Sequence, residues 1–207
     1  MLIRARLLQM LSVLERTGGA AVSTDTLNAF AYFANVLSPL WDIDPIEGSV
    51  LKQGAPRFPS LELELDALVG AGLVTVISLT QPTAGAGSSV VATFRINHEK
   101  SAPLLDSIRM LPDEQSAESF LLELASAFLE IRPDRQDDAA ISDAAYSNPK
   151  VAHGRVVDFA EWVSPRRGNA AWNVAQSFQR YVPERVTLSR AEKLVMYMHL
   201  MKRRAHG

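Results

Sequence analysis

The chain has 207 residues, of which 47% are hydrophobic and 21% are charged, and its formal net charge is −2. A composition of this kind excludes a largely disordered protein and is sufficient to build a substantial core. Cysteine is absent, which excludes disulfides and thiolate chemistry, so a metal site could use only histidine and carboxylate ligands.

Two helices are predicted at the start of the chain. The first has apolar residues at helical spacing and ends at Gly18–Gly19. Its apolar positions are Ile3, Leu7, Met10, Leu11 and Leu14. The second helix begins after a cap at Ser23 or Thr24 and ends at Ser38–Pro39. It carries Leu27, Phe30, Ala31, Ala34 and Leu37.

The stretch "FPSLELELDALVGAGLVTVISL", residues 58 to 79, contains two conflicting patterns. Residues 61 to 66 alternate apolar and acidic side chains, as a half-buried strand does. However, Leu61, Leu65, Leu68 and Val69 share one face of a helix, and none of residues 60 to 68 is β-branched. Because Pro59 suits a first helical turn and glycines follow at 70 and 72, we predict a third helix over 59–70.

A β-hairpin is predicted to follow this helix. Residues 73–79 and 90–96 are β-branched runs, and the sequence TQPTAGAGSS between them is rich in turn formers. Three helices followed by a hairpin are typical of a winged helix-turn-helix, in which the third helix is the recognition element and the hairpin is the wing. We therefore assign residues 1–98 to a winged-helix-like domain.

Residues 99–207 are predicted to form a helical C-terminal region. Apolar periodicity indicates helices near 104–111, 120–131, 137–146, 150–162, 171–178 and 189–201. The last of these begins with Ser189-Arg190-Ala191-Glu192, which is a capping-box pattern. The expected fold class is therefore mainly α with a small β-hairpin.

The exposed side of the third helix has the wrong charge for reading DNA. It presents Glu62, Leu63 and Asp66, whereas a recognition helix needs cations and amides toward bases and phosphates. An apolar residue among acids on an exposed face is typical of a protein contact, which makes these three residues a candidate protein interface. The alternative is that the C-terminal half of the same chain covers Leu63.

Basic residues are concentrated near the C-terminus. Residues 150–207 hold 11 Lys and Arg against 4 acids, which leaves a net charge of −9 for the residues before them. Arg166 and Arg167 lie between two helices, and Lys202, Arg203 and Arg204 lie near the chain's end. These five residues could contact duplex DNA without sequence preference, or an acidic protein surface of this chain or of a second copy in a homodimer; they could also be a solvated face.

Four short runs of the sequence resemble a known family. The runs LKQGAPRFP (51–59) and LDALVGAGLV (65–74), with DAAY (143–146) and VDFAEW (157–162), resemble the middle components of three-component ABC-ATPase anti-phage defence systems of the SMC-like, Lamassu type. The resemblance implies a non-enzymatic subunit that associates with an SMC-like coiled-coil ATPase and an effector subunit. Its implied role is comparable to that of the winged-helix accessory subunits of bacterial condensins.

No catalytic or cofactor-binding pattern is evident. The four histidines lack ligand-type spacing, and adjacent acids such as Asp137-Asp138 do not face each other on a helix. The glycine-rich stretch 85–89 lacks the lysine and the helix of a phosphate loop. We therefore expect no enzyme activity and no cofactor.

Two functions are compatible with these features. The first is a non-catalytic bridging subunit of an SMC-like ABC-ATPase complex in anti-phage or anti-plasmid defence. The alternative is an independent winged-helix transcription regulator that binds operator DNA. Arg6, Glu15 and Arg16 interrupt the apolar N-terminus before a signal-peptide core is complete, so we expect a cytoplasmic protein without a membrane partner.

Overall fold

Helices make up most of the described chain. The structure is a computed structural model that describes residues 3–45, 49–52, 54–80, 91–147, 154–158 and 168–206. Its helices are α1 (Ile3–Gly18), α2 (Thr24–Leu37), α3 (Pro59–Gly70), α4 (His98–Arg109), α5 (Pro112–Phe128), α6 (Gln136–Ile141), α7 (Ala170–Ser177) and α8 (Arg190–His206). The strands are β1 (Val22–Ser23), β2 (Ser49–Lys52), β3 (Pro56–Arg57), β4 (Val74–Thr80), β5 (Val91–Ile96) and β6 (Val156–Asp158). A mainly helical chain with a small antiparallel β component is confirmed.

The predicted hairpin belongs to a three-stranded antiparallel sheet. Its strand order is β1-β5-β4, with Val22 opposite Phe94 and Val74 opposite Ile96. The register shifts between Val76 and Ser78, which leaves Ile77 as a bulged residue in β4. The hairpin strands are confirmed, and β1 is an addition to the sequence-based prediction. The predicted turn at 80–89 lies outside the described residues except for Thr80, which ends β4.

A second three-stranded sheet was not expected from the sequence. Its order is β3-β2-β6, with Val50 opposite Val157 and Leu51 opposite Val156. The predicted helix at 150–162 is therefore wrong at residues 156–158, and the rest of it lies outside the described residues apart from 154 and 155. Two successive β-branched valines favour extended backbone, and pairing with β2 supplies the hydrogen bonds that a helix would have made internally.

One hydrophobic core cluster joins residues from both predicted regions. The rings of Phe30 in α2 and Phe128 in α5 meet edge to face with centroids 5.4 Å apart. The ring of Trp41, in the 3₁₀ turn after α2, packs on that of Phe120 with centroids 5.2 Å apart. α1 and α2 thus pack directly on the C-terminal helices. The division of the chain at residue 98 stays a prediction.

A buried carboxylate ties the last helix to α2. Asp143, which is fully buried after α6, accepts hydrogen bonds from the hydroxyls of Tyr32 and Tyr197 and from the backbone N–H of Ala145. Burial, and then the negative charge of Asp143, raise the pKa of both tyrosine hydroxyls well above their usual range. Both tyrosines therefore remain neutral donors, and the buried charge has the partners it needs.

Local sequence signals set the limits of α3. Pro59 occupies its first turn, and the buried side chain of Asn28 accepts a hydrogen bond from the N–H of Phe58 at 3.0 Å. At the other end, Gly72 has φ +70°, which lets its N–H reach the carbonyl of Val69 and lets the N–H of Leu73 reach that of Leu68. The predicted helix at 59–70 is confirmed, with Leu61, Leu65 and Leu68 buried.

Candidate protein-interaction surface

The outward side of α3 is exposed to solvent. Glu62, Leu63 and Asp66, which we call the α3 acidic face, are all exposed, and Leu63 keeps 71% of its surface accessible. The inward positions bury their leucines against α1, so the outward positions have no core to enter. Within the described residues, the C-terminal half therefore does not cover Leu63, contrary to the alternative considered from the sequence.

The charge of this face is only partly compensated. The carboxylate of Glu64, at the border of the face, lies 2.6 Å from the guanidinium of Arg4 in α1. No ion pair is found for Glu62 or Asp66 among the residues that the structure describes. Glu62 also lies in the first turn of α3, where the helix dipole stabilises a negative charge. The face thus presents a large apolar side chain between two unpaired carboxylates.

An apolar groove lies beside the α3 acidic face and was missed by sequence reasoning. It is formed by α1, α4 and the end of α3, and it encloses about 380 Å³. Its lining residues are Arg4, Ala5, Leu8, Leu68, Leu73, Leu104, Ser107, Ile108 and Leu111. Arg4 belongs to the groove and also binds Glu64, which makes the groove and the face neighbours. The sequence signal was the apolar spacing of Leu104, Ile108 and Leu111, of which Leu104 and Leu111 are exposed.

The predicted basic cluster is only partly described. Arg166 and Arg167 lie outside the described residues. Lys202 in α8 contacts the carboxylate of Glu130 at 3.2 Å, and Arg204 donates to the carbonyl of Ser142 at 3.3 Å. Hydrogen bonds from Lys202 and then from His199 hold the pKa of Glu130 below its usual range. Lys202 and Arg204 thus have partners. Arg203 is exposed and has no hydrogen bond or ion pair within the described part of the chain.

A polar pocket of about 530 Å³ lies at the N-terminal end of α1. The guanidinium of Arg6 and the carboxylate of Glu114 form a largely buried ion pair across it, 3.0 Å apart. Burial lowers the pKa of Arg6, and the charge of Glu114 opposes that effect. Trp41, Asp42, Asp44 and Asp113 complete most of the lining. The ion pair compensates the charges of Arg6 and Glu114, and Asp42, Asp44 and Asp113 leave the lining with an excess of acidic side chains.

Neither a metal-binding cluster nor a membrane-spanning helix is found among the residues that the structure describes. In the described part of the chain, no cluster of three or more histidines and carboxylates could hold a metal ion. Three histidines are described: His98 lies 3.5 Å from Glu15, His199 contacts Glu130, and His206 contacts the backbone of its own helix. None of the described helices combines the length and apolar character required to cross a membrane.

Comparison with models of protein families and with curated proteins finds no match to this chain.

Proposed function

We propose that this chain is a non-catalytic bridging subunit of an SMC-like ABC-ATPase complex in anti-phage or anti-plasmid defence. It uses a winged-helix-like N-terminal part as a protein-binding module. Its partners are a coiled-coil ATPase and an effector subunit, it acts in the cytoplasm, and it needs no cofactor. Duplex DNA is at most a weak and nonspecific ligand of the isolated chain.

The α3 acidic face is the observation that carries this proposal. In the order α1-β1-α2-β2-β3-α3-β4-β5, α3 is the third helix and directly precedes the hairpin, which supports a comparison with the recognition helix of a winged helix. A DNA-reading helix at this position needs cations near phosphates, because phosphate contacts supply most nonspecific affinity. Here Leu63 is 71% exposed between Glu62 and Asp66, a composition that repels phosphate and suits an apolar contact with basic surroundings.

Described parts of three of the stretches that carry the family resemblance lie close together. The hydroxyl of Tyr146 donates to the carbonyl of Gly54 at 2.7 Å, which joins the stretch at 143–146 to the one at 51–59. β6 (Val156–Asp158) overlaps the start of the stretch at 157–162, and its Val156, directly before that stretch, lies opposite Leu51, the first residue of the stretch at 51–59. Segments that are far apart in sequence are thus neighbours in space.

A native pull-down from the source cell tests the proposal. Tagged wild-type chain should co-purify with a large coiled-coil ATPase and an effector protein, identified by mass spectrometry. Leu63→Lys should reduce this recovery at least about tenfold, because a charged side chain at the centre of an apolar contact must be desolvated. The matched control is Leu79→Lys in β4, where the leucine is 69% exposed and the same charge is added.

Two results would contradict the proposal. Equal recovery of the ATPase by both variants would remove the α3 acidic face from the interface. Absence of any coiled-coil ATPase, together with a sequence-specific footprint of the purified chain on duplex DNA, would favour the independent regulator instead.

A further inference from the structure

β4 is an edge strand with both faces open to solvent. In the sheet order β1-β5-β4, no described strand pairs with its outer side. Of its seven residues only Val74 is buried, and the six that follow are exposed. The alternate backbone N–H and C=O groups that point away from β5 therefore form a template for another strand.

Two of the usual protections of an edge strand, charge and proline, are missing here. No charged residue occurs between Asp66 and Arg95, and β4 contains no proline. Natural edge strands commonly use lysine, inward-pointing charges, proline or a β-bulge to prevent pairing. Of these, β4 has only the bulge at Ile77, whose side chain is 52% exposed and apolar.

The register places two exposed apolar side chains on the core side of β4. Val76 lies opposite Phe94, and Leu79 lies opposite Ala92, so both share the sheet face that carries the buried Phe94 and Ile96. Val76 is nevertheless 37% exposed and Leu79 is 69% exposed. The apolar face of the sheet thus continues past the helices that cover its inner part.

We infer that the outer edge of β4 pairs antiparallel with β4 of a second copy of this chain. The edge is neutral, so two copies meet without like charges, whereas a charged partner segment would gain no ion pair. A two-fold axis can set Val76 of each copy beside Leu79 of the other, which gives both side chains a cross-strand neighbour. The two sheets then form one continuous sheet. This inference does not depend on the proposed function.

The oligomeric state of the purified full-length chain tests this pairing. A single strand pair buries less surface than most stable interfaces, so we expect a reversible dimer whose population rises with concentration. Sedimentation equilibrium over the micromolar range should show a mass that rises from 22.7 kDa toward twice that value. Amides of β4 should exchange more slowly with deuterium at high concentration than at low concentration.

A matched pair of variants locates the contact. Leu79→Lys should give a monomer throughout the range, because the pairing would place the added charge beside the apolar Val76 of the other copy and remove part of its hydration. Leu63→Lys, a leucine of nearly equal exposure on α3, should dimerise like the wild type. Circular dichroism should show the same fold in both, since both leucines are mainly exposed.

A monomeric wild type at every concentration would overturn the inference and would leave the edge open for a strand of another protein. A dimer that persists in Leu79→Lys, or one that is lost in Leu63→Lys, would overturn it as well.

Discussion

Two buried amide side chains differ in how well their hydrogen bonds are satisfied. Asn28 in α2 donates to the carbonyl of Thr24 at 2.9 Å and accepts from the N–H of Phe58 at 3.0 Å. Gln9 in α1 is 2% exposed, yet neither its amide nitrogen nor its oxygen has a hydrogen-bond partner within the described residues. A buried polar group without a partner costs free energy, whereas a paired one does not.

Replacing these amides by apolar side chains should therefore change stability in opposite directions. Gln9→Met, which keeps a similar length, should raise the free energy of unfolding by about 1–2 kcal/mol. Asn28→Leu should lower it by about 1–3 kcal/mol, because the buried N–H of Phe58 then loses its acceptor. Urea denaturation measures both. If Gln9→Met proved as destabilising as Asn28→Leu, Gln9 would have a hydrogen-bond partner in solution.

At the scale of elements, the carboxylate of Asp137 lies where α6 approaches the start of α2 and β3. Its pKa is raised to about 6, mainly by burial and then by the negative charges of Asp25 and Asp138. The positive charge of Arg57 lowers the pKa, but by less. Arg57 is already held by Asp25, with guanidinium and carboxylate 2.7 Å apart. The ionised form of Asp137 is therefore unfavourable in the folded protein.

This pKa predicts a specific pH dependence of stability. Between the ordinary value of 3.8 and about 6, the folded protein holds a proton at Asp137 that the unfolded chain has lost, so Asp137 lowers stability as pH rises through this window. Asp137→Asn should match the wild type near pH 4 and exceed it by roughly 1–2 kcal/mol above pH 6, a range reduced for partial exposure to solvent.

Denaturation at a series of pH values measures this difference. Asp138→Asn is the control, because that carboxylate is 49% exposed and pairs with Arg135 at 3.0 Å. Over the same pH window, the free energy of unfolding of Asp138→Asn should exceed that of the wild type by much less. Parallel pH profiles for wild type and Asp137→Asn would mean that Asp137 titrates at its ordinary pKa.

Elements with local signals could be predicted from the sequence, and elements made by distant pairing could not. α3 was placed correctly because Pro59, three buried leucines and Gly72 all lie within it or next to it. β2 and β6 lie about a hundred residues apart and pair with each other, and the two valines of β6 are too short a local signal to predict a strand. β1 and β3 contain two residues each, which is too short for any periodicity.

The same distinction applies to the candidate interaction surface. The position of Leu63 among acids on the outer side of α3 follows from helical spacing, and the structure adds only that nothing described covers it. The apolar groove depends on the packing of α1, α3 and α4 against one another, which no single segment encodes. The open edge of β4 depends on the strand order of its sheet.

At the scale of the whole molecule, the positive charge of residues 150–207 is partly used within the chain. Arg190 lies over the ring of Trp41 at 5.2 Å, and Lys193 donates to Gln176 at 2.8 Å. Lys202 and Arg204 contact Glu130 and Ser142, as described above. These contacts hold α8 against other parts of the fold. The excess of positive charge in this part of the sequence therefore does not produce an equally large patch of unpaired cations on the surface.

Neighbouring cations of α8 should therefore contribute unequally to DNA binding. We expect the isolated chain to retain duplex DNA weakly and without sequence preference, with an affinity that falls as salt rises. Arg203→Gln should lower the slope of log affinity against log salt by about one unit, because its free guanidinium can displace a counterion. Lys202→Gln should change the slope less, since its ammonium is already 3.2 Å from a carboxylate of Glu130. Filter binding across a salt series gives both slopes. Equal slopes for wild type and Arg203→Gln would show that Arg203 is only solvated, and any salt dependence would then belong to other cations, such as Arg166 and Arg167.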